Sequence, residues 1–307
     1  MIERHFAKYG AESKFLSLLE LGRPWNGSIS GIIALLGCFL VSKEPLSLFD
    51  AIRIFLSFLF LWMGGAIIND LQDINIDKIN MPFRPLQSGR VTLSEARTFS
   101  FLLYVGGLLL ALSLGFNFFA LFLLFFVLTV FYSVPPISLQ RRGVLSNFTM
   151  AIVFVFIPAV TGAVFVYGLV NFSVFFWMAI LCLTILFGFC LIMKDFKDIR
   201  GDKRHGKKTF VVRVSLKNAR WTSVIGTVMF FPLTTYFFSR LFDYQFIFAL
   251  LSGVIYVFLV YIEIKDTKKY IPIEEDKRFG EVRLTLLCYV ILLLIFSIIN
   301  YYRLIFT

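Results

Sequence analysis

The sequence predicts an all-α integral membrane protein with nine transmembrane helices, and three observations support this fold class. Hydrophobic residues make up 59% of the 307 residues and charged residues only 16%, against about 45–50% and 25% in soluble domains. Charge-free runs recur along the chain at lengths that suit membrane-spanning helices of about 20 residues. Lys and Arg also gather in alternate loops between these runs. We expect one transmembrane domain covering residues 1–307.

Seven charge-free runs give the nine helices in order. Five runs have the length of one helix, and they lie between positions 23–43, 53–70, 220–240, 243–263 and 283–303. Two longer runs, between 97–141 and 142–194, hold two helices each, and turn signals at 115–117 and 167–171 divide them. The run between Arg53 and Asp70 is short, so we expect its helix to extend past Asp50 or Arg53.

The distribution of basic residues predicts the orientation. Alternate assignment of the loops places 26 of the Lys and Arg residues on one side and 4 on the other. Because basic residues accumulate in cytoplasmic loops, we expect a cytoplasmic N-terminus, an outside C-terminus and a multi-pass protein of the cell membrane. In so apolar a chain, the net charge of +11 indicates contact with membrane lipid and not with nucleic acid.

Cysteine and histidine point to no catalytic site of their own. Cys38, Cys182, Cys190 and Cys288 lie in apolar stretches without metal-ligand spacing, which is typical of packing residues. The chain has only two histidines. A Ser-His-Asp triad or a histidine zinc site is therefore not expected.

Six aspartates fall in two clusters of equal spacing. Residues 69–77 read NDLQDINID and residues 195–202 read DFKDIRGD, so both contain D-x2-D-x3-D. The clusters follow the second and sixth predicted helices on the cytoplasmic side, and the repeat indicates an internal duplication. On a regular helix, positions i, i+3 and i+7 lie within about 60°. We therefore expect each cluster to present three carboxylates on one helix face.

Such clusters predict a metal and diphosphate site. Three adjacent carboxylates repel one another unless a cation binds, and Mg²⁺ typically takes one or two carboxylates together with phosphates and water. Two facing clusters would hold two Mg²⁺ ions around a diphosphate, whose charge nearby Arg and Lys would neutralise. The alternative is that the aspartates are solvated or salt-bridged residues at helix ends.

Further motifs make a family resemblance specific. The first cluster is followed by NMPFRPLQSG at 80–89, and the second runs into GDKRHGKKT at 201–209. LGRPWN occurs at 21–26, and YSVPP at 132–136 precedes Asn147. Together these motifs resemble the UbiA superfamily of intramembrane prenyltransferases, over residues 21 to about 210 by motif and over the whole chain by helix number.

The resemblance implies nine helices around a central cavity, two Mg²⁺ ions, an isoprenyl diphosphate donor and a lipophilic acceptor. It implies that Tyr132 stabilises the developing allylic cation or orients the acceptor. The implied metal ligands are Asn69, Asp70, Asp73, Asp77, Asp195, Asp198 and Asp202. The implied catalytic residues are Asp73, Asp198, Asp202 and Tyr132, and the implied substrate-binding residues are Arg23, Asn26, Arg84, Ser133, Arg141, Lys194 and Lys208.

Two departures from the family pattern bear on the acceptor. Phe83 stands where many members have Asn, and Gln140 stands where many have Lys, which leaves Arg141 to supply that charge. The segments at 80–89 and 132–136 are most similar to the branch that makes archaeal ether lipids or chlorophyll-type tails, and the quinone-making branch with aromatic acceptors is close behind. The resemblance therefore implies transfer of a geranylgeranyl group, with geranylgeranylglyceryl phosphate as the expected acceptor and aromatic quinone precursors or chlorophyllide as alternatives.

Two other classes of membrane protein also carry acidic residues. A cation-coupled transporter usually binds its ions near the bilayer midplane, whereas both clusters here sit at helix ends. A CDP-alcohol phosphotransferase is also metal-dependent, but its acidic pattern is denser. Release of diphosphate from an isoprenoid would distinguish a prenyltransferase from both.

Overall fold

The computed structural model describes residues 13–42, 44–168, 172–265 and 270–306, and nearly all of them are helical. Within these residues nine helices are long and apolar enough to span a membrane, as predicted. They are α1 Pro24–Val41, α2 Leu48–Gln72, α3 Leu93–Leu112, α4 Phe116–Ser133, α5 Val144–Tyr167, α6 Val174–Arg204, α7 Leu216–Ser239, α8 Gln245–Ile264 and α9 Pro272–Arg303. Part of the turn predicted at 167–171 and the first twelve residues lie outside the described residues.

The helix ends follow local signals in the sequence. α2 begins before both Asp50 and Arg53, as expected, and the Ser47 hydroxyl caps it by accepting a hydrogen bond of 3.0 Å from the Asp50 amide. Gly115 separates α3 from α4 with a φ of 101°, a left-handed conformation that glycine adopts readily. α6 changes into a 3₁₀ segment, Leu191–Asp198, before its last helical turn.

Consecutive helices are neighbours around the bundle, and α9 packs against α1, so the bundle closes on itself. α1 also crosses α5 at very short range. A Cβ atom on Gly37 would lie 1.9 Å from the carbonyl oxygen of Ala159, and one on Gly162 would lie 1.9 Å from that of Ala34. Small residues at such crossings allow two helix backbones to approach closely inside a membrane.

Three short helices flank the spanning helices and carry parts of the site. Lys14–Gly22 precedes α1, Ile74–Asn80 follows α2, and Phe210–Val214 precedes α7. The Ile74–Asn80 helix packs against the last turn of α6. The loops after α2 and α6 therefore meet at the same end of the bundle.

Candidate functional site

The two aspartate clusters are joined by the side chain of Asn80. Its Nδ2 donates to the carbonyl oxygen of Asp198 at 3.1 Å, and its Oδ1 accepts from the amide of Gly201 at 2.9 Å. Gly201 makes this approach possible because a Cβ there would lie 2.5 Å from the Asn80 Nδ2. The structure thus brings the two clusters face to face.

Neither cluster lies on a regular α-helix, so the expected single helix face is wrong. The chain bends at the middle aspartate of each cluster, with φ and ψ of −99° and 15° at Asp73 and of −96° and 0° at Asp198. These angles belong to the sparsely populated bridge region, where many active-site residues are found. The two D-x2-D-x3-D clusters therefore share a similar backbone bend at their middle aspartate.

In the first cluster, two arginines hold two of the carboxylates. Nη2 of Arg23 lies 2.6 Å from both carboxylate oxygens of Asp70. Nη1 of Arg84 lies 2.6 Å from Oδ2 of Asp77 and 3.6 Å from Asp70. All four side chains are largely buried, and buried charges in proteins are normally paired in this way.

Asp73 points away from this pair, into a network around Gln140. Lys207 Nζ lies 2.7 Å from Asp73 Oδ2 and 3.1 Å from Gln140 Oε1. Asn69 donates to Gln140 Oε1 at 2.8 Å and to the Ser133 hydroxyl at 3.1 Å. Gln140 is buried. Its Oε1 accepts hydrogen bonds from both Asn69 and Lys207, so it lies at the centre of this network.

The expectation that Arg141 replaces the family's lysine is corrected by this network. Arg141 is exposed on the loop, and the cation beside Gln140 is Lys207. The physical reason is that Gln140 turns its amide inward from a 3₁₀ turn, Leu139–Arg141, which leaves the next side chain outside. Lys207 enters the same space from the segment after α6.

The second cluster retains unsatisfied carboxylate oxygens. Lys194 Nζ lies 2.6 Å from Asp195 Oδ1, and the Thr209 hydroxyl lies 3.2 Å from Asp202 Oδ2. Among the described residues, Asp195 Oδ2, Asp198 Oδ1 and Asp202 Oδ1 are buried without a hydrogen-bond partner. Because a buried unpaired carboxylate oxygen is costly, one such oxygen on each of three aspartates fits a site for a cation.

Tyr132 lies beside Lys194, the residue that precedes the second cluster. Its side chain is buried, and its hydroxyl lies 2.9 Å from the Ser146 hydroxyl. The Lys194 ammonium lies 6.0 Å from the centre of the Tyr132 ring, within the range of cation–π attraction. The ring face is therefore available to a cation in this site.

Two other expected substrate-binding residues, Asn26 and Lys208, contact residues other than the aspartates. Asn26 accepts a hydrogen bond of 2.8 Å from Arg283 of α9. Lys208 has an exposed side chain, and its backbone forms a parallel bridge with Arg142. The structure thus connects Asn26 to the α1–α9 contact and Lys208 to the loop after α4.

Burial and neighbouring charges shift the pKa values of Asp77 and Lys207. Burial raises the pKa of Asp77 to about 6, and the neighbouring Asp70 and Asp198 carboxylates add to this rise, while Arg84 opposes it. Burial disfavours the charge on Lys207, but the Asp73 and Asp202 carboxylates outweigh it and hold its pKa above the usual range. Lys207 is therefore a permanent cation between the two clusters.

The acidic side chains do not form a finished metal cage. Among the described residues, no three acidic, cysteine or histidine side chains converge enough to hold a metal by themselves. The arginines and lysines described above explain this, since they draw the carboxylates towards separate partners. Mg²⁺ needs only one or two carboxylates when phosphate oxygens and water complete its shell, so the donor set fits a metal that binds with a diphosphate.

The family profile decides the identification. Residues 30–287 match the UbiA prenyltransferase family. The chain belongs to this family. The UbiA family assignment agrees with the resemblance carried by the aspartate motifs, and it makes the chain a UbiA-type prenyltransferase.

Curated UbiA-family relatives and solved structures agree with this assignment. A digeranylgeranylglyceryl phosphate synthase of Sulfurisphaera tokodaii is 31% identical over 79% of this chain and 84% of its own length. The synthase of Sulfolobus acidocaldarius is 36% identical over 57% of this chain and 62% of its own length. The fold is that of a UbiA homologue from Archaeoglobus fulgidus solved with GPP and Mg²⁺, at a TM-score of 0.66, 18% identity and coverage of 95% of this chain and 100% of that one.

The expected site residues did not include Asn80, Gln140 or Lys207, although Lys207 is one of the basic residues around the second cluster and Gln140 is one of the two departures from the family pattern. Asn80 and Lys207 stand inside the two quoted signatures, so the signal was present in the motifs. What the sequence could not supply is the direction of each side chain. Lys207 and Lys208 are adjacent and identical, and only the fold shows that Lys207 faces Asp73.

Proposed function

We propose that this UbiA-family enzyme transfers a geranylgeranyl group from its diphosphate to geranylgeranylglyceryl phosphate. The observation that carries the proposal is the set of three unsatisfied carboxylate oxygens on Asp195, Asp198 and Asp202, facing a second cluster rich in arginine and lysine contacts. The acceptor is supported by curated relatives from several archaea that carry the name digeranylgeranylglyceryl phosphate synthase.

Two Mg²⁺ ions would be held by the two clusters, through Asn69, Asp70, Asp73 and Asp77 on one side and Asp195, Asp198 and Asp202 on the other. The bound metal supplies positive charge that draws electrons onto the diphosphate. Arg84, Lys194 and Lys207 add fixed positive charge around the leaving group. A metal in the homologue from Archaeoglobus fulgidus supports the choice of Mg²⁺.

The allylic C–O bond of the donor breaks, and its electron pair leaves with the diphosphate. Tyr132 presents its ring to the developing allylic cation, in the space that the Lys194 ammonium occupies in this structure. Lys194, which contacts Asp195 in this structure, would keep its proton and pair with the departing diphosphate. The acceptor hydroxyl oxygen forms the new C–O bond and loses its proton to the departing diphosphate, in a site from which buried side chains exclude water.

The membrane orientation belongs to the same proposal. The 26 basic residues on the side of the aspartate motifs and the 4 on the other side support an active site on the cytoplasmic face of the cell membrane. All of residues 1–307 would then act as one transmembrane catalytic domain.

The acceptor is tested with purified protein in liposomes, Mg²⁺, geranylgeranyl diphosphate and separate acceptors. The panel contains geranylgeranylglyceryl phosphate, 4-hydroxybenzoate and chlorophyllide, and product mass is the readout. We expect a product heavier by one geranylgeranyl group with the first acceptor alone, and none after removal of Mg²⁺. A product with an aromatic acceptor only, or with no acceptor, would refute the proposal.

A further inference from the structure

A second groove lies outside the aspartate site, between the start of α7 and the end of α8. Its cavity volume is about 240 Å³, against about 20 Å³ for the cavity beside Arg23, Asp70 and Phe83. A single water needs only about 10–15 Å³ on this measure. The groove is therefore large enough to hold a ligand much larger than a water molecule.

The lining of this groove combines positive charge, aromatic rings and an apolar floor. Lys217 and Arg220 supply the charge, Trp221 and Tyr270 the rings, and Val224 and Ile264 the floor. Lys217 is exposed, and Trp221 is half exposed. Aromatic and basic side chains at the ends of spanning helices are typical of the boundary between hydrocarbon and lipid headgroups.

The two walls of the groove are fixed by buried polar contacts. Glu263 of α8 accepts hydrogen bonds from Ser223 and Thr227 of α7, at 3.0 and 3.1 Å. Arg220 lies 2.8 Å from the buried Glu275 of α9. These contacts fix the positions of α7, α8 and the start of α9 relative to one another, so the groove has rigid walls.

Tyr270 connects the groove to the second aspartate cluster. Its hydroxyl donates to the carbonyl oxygen of Phe196 at 2.9 Å, and it lies 3.4 Å from that of Lys197. Both carbonyls belong to the 3₁₀ segment that carries Asp195 and Asp198. A ligand against the Tyr270 ring would therefore touch the residue that supports this segment.

We propose that this groove binds the anionic phosphate headgroup of a membrane lipid, separately from the prenyl donor and acceptor. Lys217 and Arg220 attract the phosphate, Trp221 and Tyr270 flank the headgroup, and Val224 and Ile264 contact the start of the acyl or isoprenoid chain. Charge complementarity selects anionic over zwitterionic lipid. Occupancy stabilises the second aspartate cluster through Tyr270.

The test is native mass spectrometry of the full chain in detergent, titrated with dioctanoyl phosphatidylglycerol, dioctanoyl phosphatidylcholine or inorganic phosphate. We expect the phosphatidylglycerol to bind at least fivefold more tightly than the phosphatidylcholine, and free phosphate to bind weakly because it lacks a chain. Lys217→Gln should weaken phosphatidylglycerol binding about fivefold, the scale of one basic residue near an anionic membrane surface. Lys217→Glu should weaken it further.

Lys277→Gln is the matched control, since Lys277 is an exposed lysine near the start of α9 that does not line the groove. It should bind phosphatidylglycerol as the wild type does. Equal affinity for the two lipids, or an equal loss in the Lys217 and Lys277 variants, would overturn the proposal. Binding is measured without turnover, so the result stands apart from the prenyl transfer proposed above.

Discussion

Individual basic side chains neutralise part of the negative charge of this site, and they do so unequally in the two clusters. The first cluster is neutralised by side chains from distant segments, with Arg23 on Asp70 and Lys207 on Asp73. The second cluster keeps unsatisfied carboxylate oxygens on each of its three aspartates. This asymmetry indicates that a cation is needed most at the second cluster.

The aspartates were predictable from the sequence because charge is scarce in this chain and their spacing repeats. Their partners were not. Gln140 was interpreted as a departure that moved the family's charge to Arg141, whereas the buried Gln140 amide contacts Lys207 instead. Side-chain direction in a short 3₁₀ turn depends on the surrounding packing, which spacing alone does not contain.

The pKa of Asp77 predicts a pH-dependent metal requirement. Burial raises this pKa to about 6, well above the usual value of about 3.9, so a proton competes with the metal up to about pH 6. The Mg²⁺ concentration for half-maximal diphosphate release should therefore rise as the pH falls from 7.5 to 5.5. Asp77→Asn should weaken Mg²⁺ binding at pH 7.5 and flatten this dependence. An equal Mg²⁺ requirement at both pH values would contradict the assignment.

At the scale of secondary-structure elements, the bends at Asp73 and Asp198 determine the directions of the aspartate side chains more than the preceding helices do. The sequence placed both clusters at helix ends but favoured a continuous helix through each. The interruptions at Asp73 and Asp198 leave Asp73 directed at Lys207 while Asp70 and Asp77 share Arg84. Helical periodicity could not predict the kinks, since they depend on contacts between the two loops.

Gly201→Ala tests the contact between the loops. The new Cβ would lie 2.5 Å from Asn80 Nδ2, so the Asn80 side chain must move and the hydrogen bonds that join the two clusters are lost. A displacement near 1 Å can cost about 100-fold in rate, and we expect at least a tenfold loss of diphosphate release with little change in helix content. Asn80→Ala should give a similar loss. Gly253→Ala, where an added Cβ meets nothing within 4 Å, should retain wild-type turnover, and full activity of Gly201→Ala would argue against the contact.

At the scale of the whole molecule, hydropathy and charge are sufficient to predict the nine spanning helices found among the described residues and most of their limits. They could not predict which helices touch beyond sequence neighbours. The α1–α5 crossing depends on Gly37 and Gly162, which are ordinary small residues in the sequence. α9 also begins at Pro272, within a charged stretch that the run between 283 and 303 did not include.

Gly37→Ala is expected to destabilise the bundle. Its Cβ would lie 1.9 Å from the Ala159 carbonyl oxygen, and a backbone atom cannot rotate away as a side chain does. Overpacking of this kind costs about 1–3 kcal/mol, which should appear as a lower thermal midpoint in detergent. Gly280→Ala has no atom within 4 Å of the new Cβ and serves as the control. Equal midpoints for the two variants would refute the close crossing.

The most direct test of the central claim is Mg²⁺-dependent release of diphosphate from geranylgeranyl diphosphate by Asp73→Ala and Asp198→Ala. These variants remove the middle aspartate of each cluster, while Asp243→Ala removes a half-exposed aspartate paired with Arg303, away from both clusters. We predict at least a 100-fold loss in each cluster variant, wild-type release in the control, and unchanged circular dichroism in all three. Wild-type release by either Asp73→Ala or Asp198→Ala would contradict a site built from both clusters.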